Sequence, residues 1–111
     1  MTVKKIIEEL ESFKKENDIH TIYEGMYVLK HVLEDKGIIP RSGTYKSSGN
    51  PFDRNGIIYL IDYIQTACSN AVREFKRDNM RGYSEDLSDA KKHLKPLITE
   101  ILLANAKPAS D

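Results

Sequence analysis

Residues 57–75, Ile57-Ile58-Tyr59-Leu60-Ile61-Asp62-Tyr63-Ile64-Gln65-Thr66-Ala67-Cys68-Ser69-Asn70-Ala71-Val72-Arg73-Glu74-Phe75, carry the longest helical pattern in the chain. Ile57, Leu60, Ile61, Ile64, Ala67, Cys68, Ala71, Val72 and Phe75 share one arc at about 100° per residue, the spacing of an amphipathic helix. Asn50 can cap this helix with Pro51 in its first position, and Asn55 is a second possible start. Run from 51 to 78, it spans ~42 Å. Ala67, Cys68 and Ala71 form a small-residue patch where a neighbouring helix can approach closely.

Shorter patterns of the same kind lie on either side. Over 3–15, Val3, Ile6, Ile7, Leu10 and Phe13 share an arc, and Thr2 is placed to cap it. A second helix starts at a cap on Asp18 or on Thr21, where Thr21-Ile22-Tyr23-Glu24 reads as a capping box. Its inner stripe is Ile22, Met26, Leu29 and Leu33, with Gly25 on the flank open to close approach. Gly37 stands where a left-handed C-terminal cap belongs, and Ile38 and Ile39 can fold back on the last turn.

Residues 40–51, PRSGTYKSSGNP, are a Gly/Ser-rich loop, long for a connection between packed helices. Residues 79–83 read as a turn. Ser84 then caps a fourth helix over 84–106 with Leu87, Ala90, Leu94, Leu97, Ile98, Ile101 and Leu102 inside. Pro96 lies on its outer face and predicts one kinked helix rather than two. No strand-like alternation and no internal repeat appear. The expected fold is all-α, an antiparallel four-helix bundle over residues 1–106 with a frayed tail at 107–111.

Composition narrows the function classes. The chain has 111 residues, the size of one domain, with 17 Lys and Arg balanced by 17 Asp and Glu. Zero net charge supplies no general pull toward nucleic acid or anionic membrane. No apolar run approaches the ~18 residues of a membrane span. The first residues lead into a charged helix rather than a signal peptide. A single cysteine excludes an internal disulfide and a cysteine-cluster zinc site, and the expected location is the cytoplasm.

The candidate chemistry is thin. His20, Glu24, Tyr27 and His31 share a face of helix two, but the histidines stand ~16 Å apart along the axis, too far for one ion. Glu8 and Glu11 form an E-x-x-E without a second acidic pair to complete a magnesium site. Cys68 sits in the apolar arc, where burial raises a thiol's pKa and packing is its role. The loop lacks the Walker pattern. No catalytic residue, metal ligand or cofactor is therefore assigned.

Six tyrosines against no tryptophan remain. Helical phase turns Tyr59 and Tyr63 away from the core, on the face that carries Asn70, Arg73 and Arg77. Tyrosine and arginine predominate at protein–protein hot spots. The expected function is a small protein-binding module, such as an accessory subunit, inhibitor or immunity-type protein. Its expected partner-binding residues are Tyr59, Tyr63, Arg73 and Arg77 on the outer face of helix three. Self-pairing through Ile58, Tyr59 and Tyr63 would give a homodimer. The alternative is a nucleic-acid-associated protein, its tyrosines stacking on bases while Arg73, Arg77, Arg81, Lys91, Lys92 and Lys95 contact phosphates.

Overall fold

Thr2 begins the first helix as expected: its hydroxyl accepts from the Lys5 amide at 3.2 Å and satisfies one of the free N–H groups of the first turn. The computed structural model describes residues 2–39 and 56–106. Over that range the chain is helical: α1 Val3–Phe13, α2 Ile19–Asp35, α3 Ile57–Lys76, α4 Met80–Lys92 and α5 Leu94–Ala106. The predicted loop, the Asn50/Pro51 start of helix three and the tail lie outside the described residues.

Asp18, rather than Thr21, caps α2, accepting from the His20 amide at 3.0 Å. Its other oxygen accepts from the Thr21 hydroxyl, so Thr21 supports the cap instead of forming it. The far end closes as the glycine implied. Gly37 has φ +73°, the Ile38 amide donates to the Leu33 carbonyl, and the Gly37 amide donates to that of Glu34. This is a complete Schellman closure, and it folds Ile39 into the core.

The second closure was not foreseen. Residues 79–83 do not form a free turn: Met80 to Tyr83 are the first turn of α4, four residues ahead of the expected start at Ser84. Asn79 serves both helices. Its amide donates to the Glu74 carbonyl at 2.9 Å, closing α3, while its side-chain oxygen accepts from the Gly82 amide and caps α4. Between the helices, Asp78 takes φ +60°.

The kink expected at Pro96 is instead a break into two helices at His93, three residues earlier. Proline has no N–H to donate to the Lys92 carbonyl. The His93 amide accordingly tightens onto the Ala90 carbonyl, and a new helix restarts from the His93 carbonyl to the Leu97 amide. Pro96 is exposed, on the outer face as predicted.

One buried cluster joins all five helices: Ile6 and Leu10 of α1, the Ile22/Met26/Leu33 stripe of α2, Ile61, Ile64 and Cys68 of α3, Ala90 of α4, and Leu94, Leu97 and Ile101 of α5. The α1 ring of Phe13 crosses Gly25 of α2 so closely that a Cβ there would meet its Cε2 at 2.7 Å. That is the close approach the glycine allowed. Two residues assigned to inner faces lie outside: Phe75 and Leu102 are about half exposed. Ile58, placed outside by its phase, packs partly against the core.

Candidate functional site

The outer face of α3 is not one surface. The α4 helix turns back along α3, with Phe75 meeting Tyr83 near the turn and Tyr63 meeting Asp89 farther along. It therefore covers the side that carries Tyr63. The Tyr63 hydroxyl donates to Asp89 Oδ2 at 2.6 Å, and its ring stacks on His93 with centroids 4.0 Å apart. The hydrogen bond to Asp89 holds its phenol above the ordinary tyrosine range. His93 Nδ1 lies 2.7 Å from the Asp89 carbonyl, so this network pins the α4–α5 junction to α3.

Tyr59 stays exposed, its ring 6.2 Å from that of Tyr63. Arg73 and Arg77 are exposed at the other end of α3. Arg77 approaches Glu74 at 3.9 Å, a loose surface pair. Ten residues of helix separate Tyr63 from Arg73, or ~15 Å. The four expected contact residues thus form two patches. Of the three side chains invoked for self-pairing, Tyr59 alone is exposed.

A more shaped feature lies on the opposite flank of α3. Ile19, His20 and Tyr23 of α2 and Cys68, Ser69 and Val72 of α3 line a shallow cavity of about 250 Å³. A second, of about 220 Å³, shares Ile19, His20 and Val72 and continues to Asn17, Asp18, Phe75 and Tyr83. The two adjoin as one groove between α2 and α3, apolar along the Cys68 and Val72 stretch and bordered at the Phe75 end by Asn17, Asp18 and, from α4, Tyr83. Tyr23, 42 % exposed, stands at one end, and Phe75, 58 % exposed, at the other. Arg73 and Lys76 are exposed beside it on α3. Periodicity missed the groove because it counted Phe75 as core. The signal available was the position of Phe75 in the last turn of α3, where a helix outruns its neighbours.

Cys68 forms part of the floor and is fully buried; burial pushes its thiol up to about 11. It is a packing residue with negligible thiolate at neutral pH. On α2, His31 Nδ1 lies 3.1 Å from Glu34 Oε1, and its ring meets that of Tyr27 edge-on. Among the described residues, no group of three or more His, Cys, Asp or Glu side chains is placed to hold a metal ion. No described helix is long and apolar enough to cross a membrane.

Basic side chains gather elsewhere. Lys91, Lys92 and Lys95 line a concavity of about 630 Å³ with Lys14 and Asn17 from the end of α1. Arg81 is not part of it and pairs with Glu85 at 3.1 Å. No known protein family, no curated protein and no solved structure matches this chain.

Proposed function

We propose that the protein is a small binding module for another protein, a single helical-bundle domain that grips its partner in the groove between α2 and α3. The observation that carries this reading is the groove itself, apolar along the Cys68 and Val72 stretch and ended by the exposed rings of Tyr23 and Phe75. Large aromatic side chains beside an apolar notch are the usual anchors of an interface. Arg73 and Lys76, exposed beside it on α3, supply positive charge. The fitting partner is a protein segment that inserts an apolar side chain between α2 and α3 and sets acidic residues against these two. Tyr59 and Tyr63 lie on the opposite flank of α3 and take no part in this groove; Tyr63 is held by Asp89 and His93.

The test compares tagged wild type with Tyr23→Ala/Phe75→Ala and with Arg73→Glu/Lys76→Glu. Each is used on nuclease-treated host lysate, and the captured protein is then purified and titrated. All four side chains are exposed enough for the variants to keep their helical circular dichroism. The aromatic variant is expected to bind ~30-fold more weakly or worse, the scale of losing a hot-spot anchor. The charge variant is expected mainly to slow association. A captured protein that binds wild type and both variants equally overturns the groove. Capture that disappears with nuclease overturns the protein-binding reading in favour of nucleic acid.

A further inference from the structure

Lys14, Lys91, Lys92 and Lys95 line one open concavity of about 630 Å³ around Leu87, and no carboxylate lines it. Ser84 and Ser88 add hydroxyls. The four lysines come from three elements: the turn after α1, the last turn of α4 and the first turn of α5. Helix electrostatics accounts for only part of this. Lysines suit the C-terminal end of α4, where the helix dipole is negative. Lys95 stands in the first turn of α5, where the dipole disfavours a cation. Lys92 and Lys95 have no ion-pair partner among the described residues, whereas Lys14 is held by Glu11 at 3.0 Å. Asn17 Oδ1 accepts from Lys91 at 3.3 Å, which steers that ammonium and leaves the Asn17 amide nitrogen free to donate.

We infer that this concavity is a binding site for a compact polyphosphate group, the kind presented by inorganic tripolyphosphate. Lysine presents a point charge with three donors, suited to phosphate oxygens from any direction, and the serine hydroxyls complete a shell of donors. The site contains no arginine fork for planar carboxylate recognition. Carboxylates border it: Glu85 and Asp89 line the neighbouring concavity, and Glu11 pairs with Lys14. A nucleic-acid strand leaving the site would run past these carboxylates. The lining holds no aromatic side chain for a base to stack on. Both features favour a short ligand with several charges over a long strand.

Amide NMR at low ionic strength tests the inference, with inorganic tripolyphosphate, inorganic phosphate and a short single-stranded oligonucleotide as probes. Tripolyphosphate is expected to shift amides of 14–17 and 84–95 saturably. Binding is expected to weaken about tenfold or more in Lys92→Gln/Lys95→Gln and not at all in Lys4→Gln/Lys5→Gln. Inorganic phosphate is expected to bind at least about tenfold more weakly than tripolyphosphate. Both altered lysine pairs are exposed, and superposition of the remaining amide peaks verifies the fold. Shifts that never saturate, or an equal loss in the two variants, would overturn the site. An oligonucleotide that occupies the same amides more tightly than tripolyphosphate would overturn the compact ligand.

Discussion

Replacing Asp78 with glycine should stabilise the protein. Asp78 lies between α3 and α4 at φ +60°, where an L side chain's Cβ crowds the backbone. The conformation is imposed from both sides. The Asp78 amide donates to the Phe75 carbonyl at 3.0 Å and the Asn79 amide to the Glu74 carbonyl at 2.9 Å, and Asn79 then caps α4. Relief of the left-handed penalty is worth ~1 kcal/mol for a short polar residue. Its negative charge is unfavourable at the C-terminal end of α3 and favourable just before the Asn79 cap of α4, so removing it is close to neutral. The freer unfolded chain of a glycine subtracts ~0.5 kcal/mol. The net is about 0.5 kcal/mol, or ~2 °C in Tm at this chain length. Urea unfolding followed by circular dichroism measures it. Asp78→Asn should be close to neutral, because asparagine tolerates this region equally well. Asp78→Ala should fall below wild type, because alanine keeps the Cβ without a polar side chain to compensate. Glycine at or below wild type, or alanine equal to glycine, would refute the left-handed closure and with it the shared role of Asn79.

Further outcomes follow at four residues. Gly25→Ala should destabilise by ~1 kcal/mol, because overpacking against the Phe13 ring outweighs the ~1 kcal/mol gain in helix propensity; urea titration should find the loss removed in Phe13→Leu/Gly25→Ala. Gly82→Ala brings a Cβ to 2.7 Å from Asn79 Nδ2, so losing the Asn79 cap, ~1 kcal/mol, should offset the ~1 kcal/mol gain in helix propensity and leave stability near wild type, whereas in an Asn79→Ala background the same change should stabilise. Cys68, its thiol raised to about 11 by burial, should react with a thiol reagent at pH 8 only as fast as the protein unfolds. Because its folded pKa lies above the unfolded one, its contribution to stability is complete below about pH 9 and is lost as pH rises through about 11, a decline that Cys68→Ala should remove. Asp86 is raised by burial first and then by Glu74, Asp89 and Glu85, so it destabilises once ionised; Asp86→Asn should raise Tm at neutral pH, and the gain should vanish below the ordinary carboxylate range.

What could be read from residues alone divides by whether the deciding interaction is local. The Gly37 closure was legible because glycine is selected at that position for its own backbone conformation, and the apolar stripe of α2 folded as its period implied. The Asn79 closure was hidden because Met80-Arg81-Gly82-Tyr83 has the composition of a turn. Gly82 is there to admit the Asn79 side chain, a requirement set by contact rather than by propensity. Pro96 marked the disruption in the last helix, but the break falls where the freed carbonyl lies, one turn earlier. The fate of Tyr63 was illegible for a different reason. Helical phase reports direction about a helix's own axis, and no phase says at which angle a second helix will arrive. The lysine concavity needed the fold as well: sequence sets Lys91, Lys92 and Lys95 near one another, and only the fold brings Lys14 and Asn17 beside them.

These differences converge on α4. Its only buried side chain is Ala90, supported by partly buried Tyr83 and Leu87. So little apolar burial cannot hold a helix in place by itself. What places α4 is polar: the Asn79 cap at its start, the Tyr63–Asp89 bond along its side and the His93 junction at its end. A helix held this way should open at lower free energy than α2 or α3, whose stripes are fully buried. Tyr83 and Lys92, which belong to the groove and to the lysine concavity respectively, both ride on it. A ligand in the concavity would draw the turn after α1 and the start of α5 onto α4 and restrain its opening. Native-state hydrogen exchange reads this directly: α4 amides should exchange ahead of those of α2 and α3, and tripolyphosphate should slow α4 selectively. Exchange of α4 at the global unfolding rate would show that its polar contacts suffice to make it part of the core.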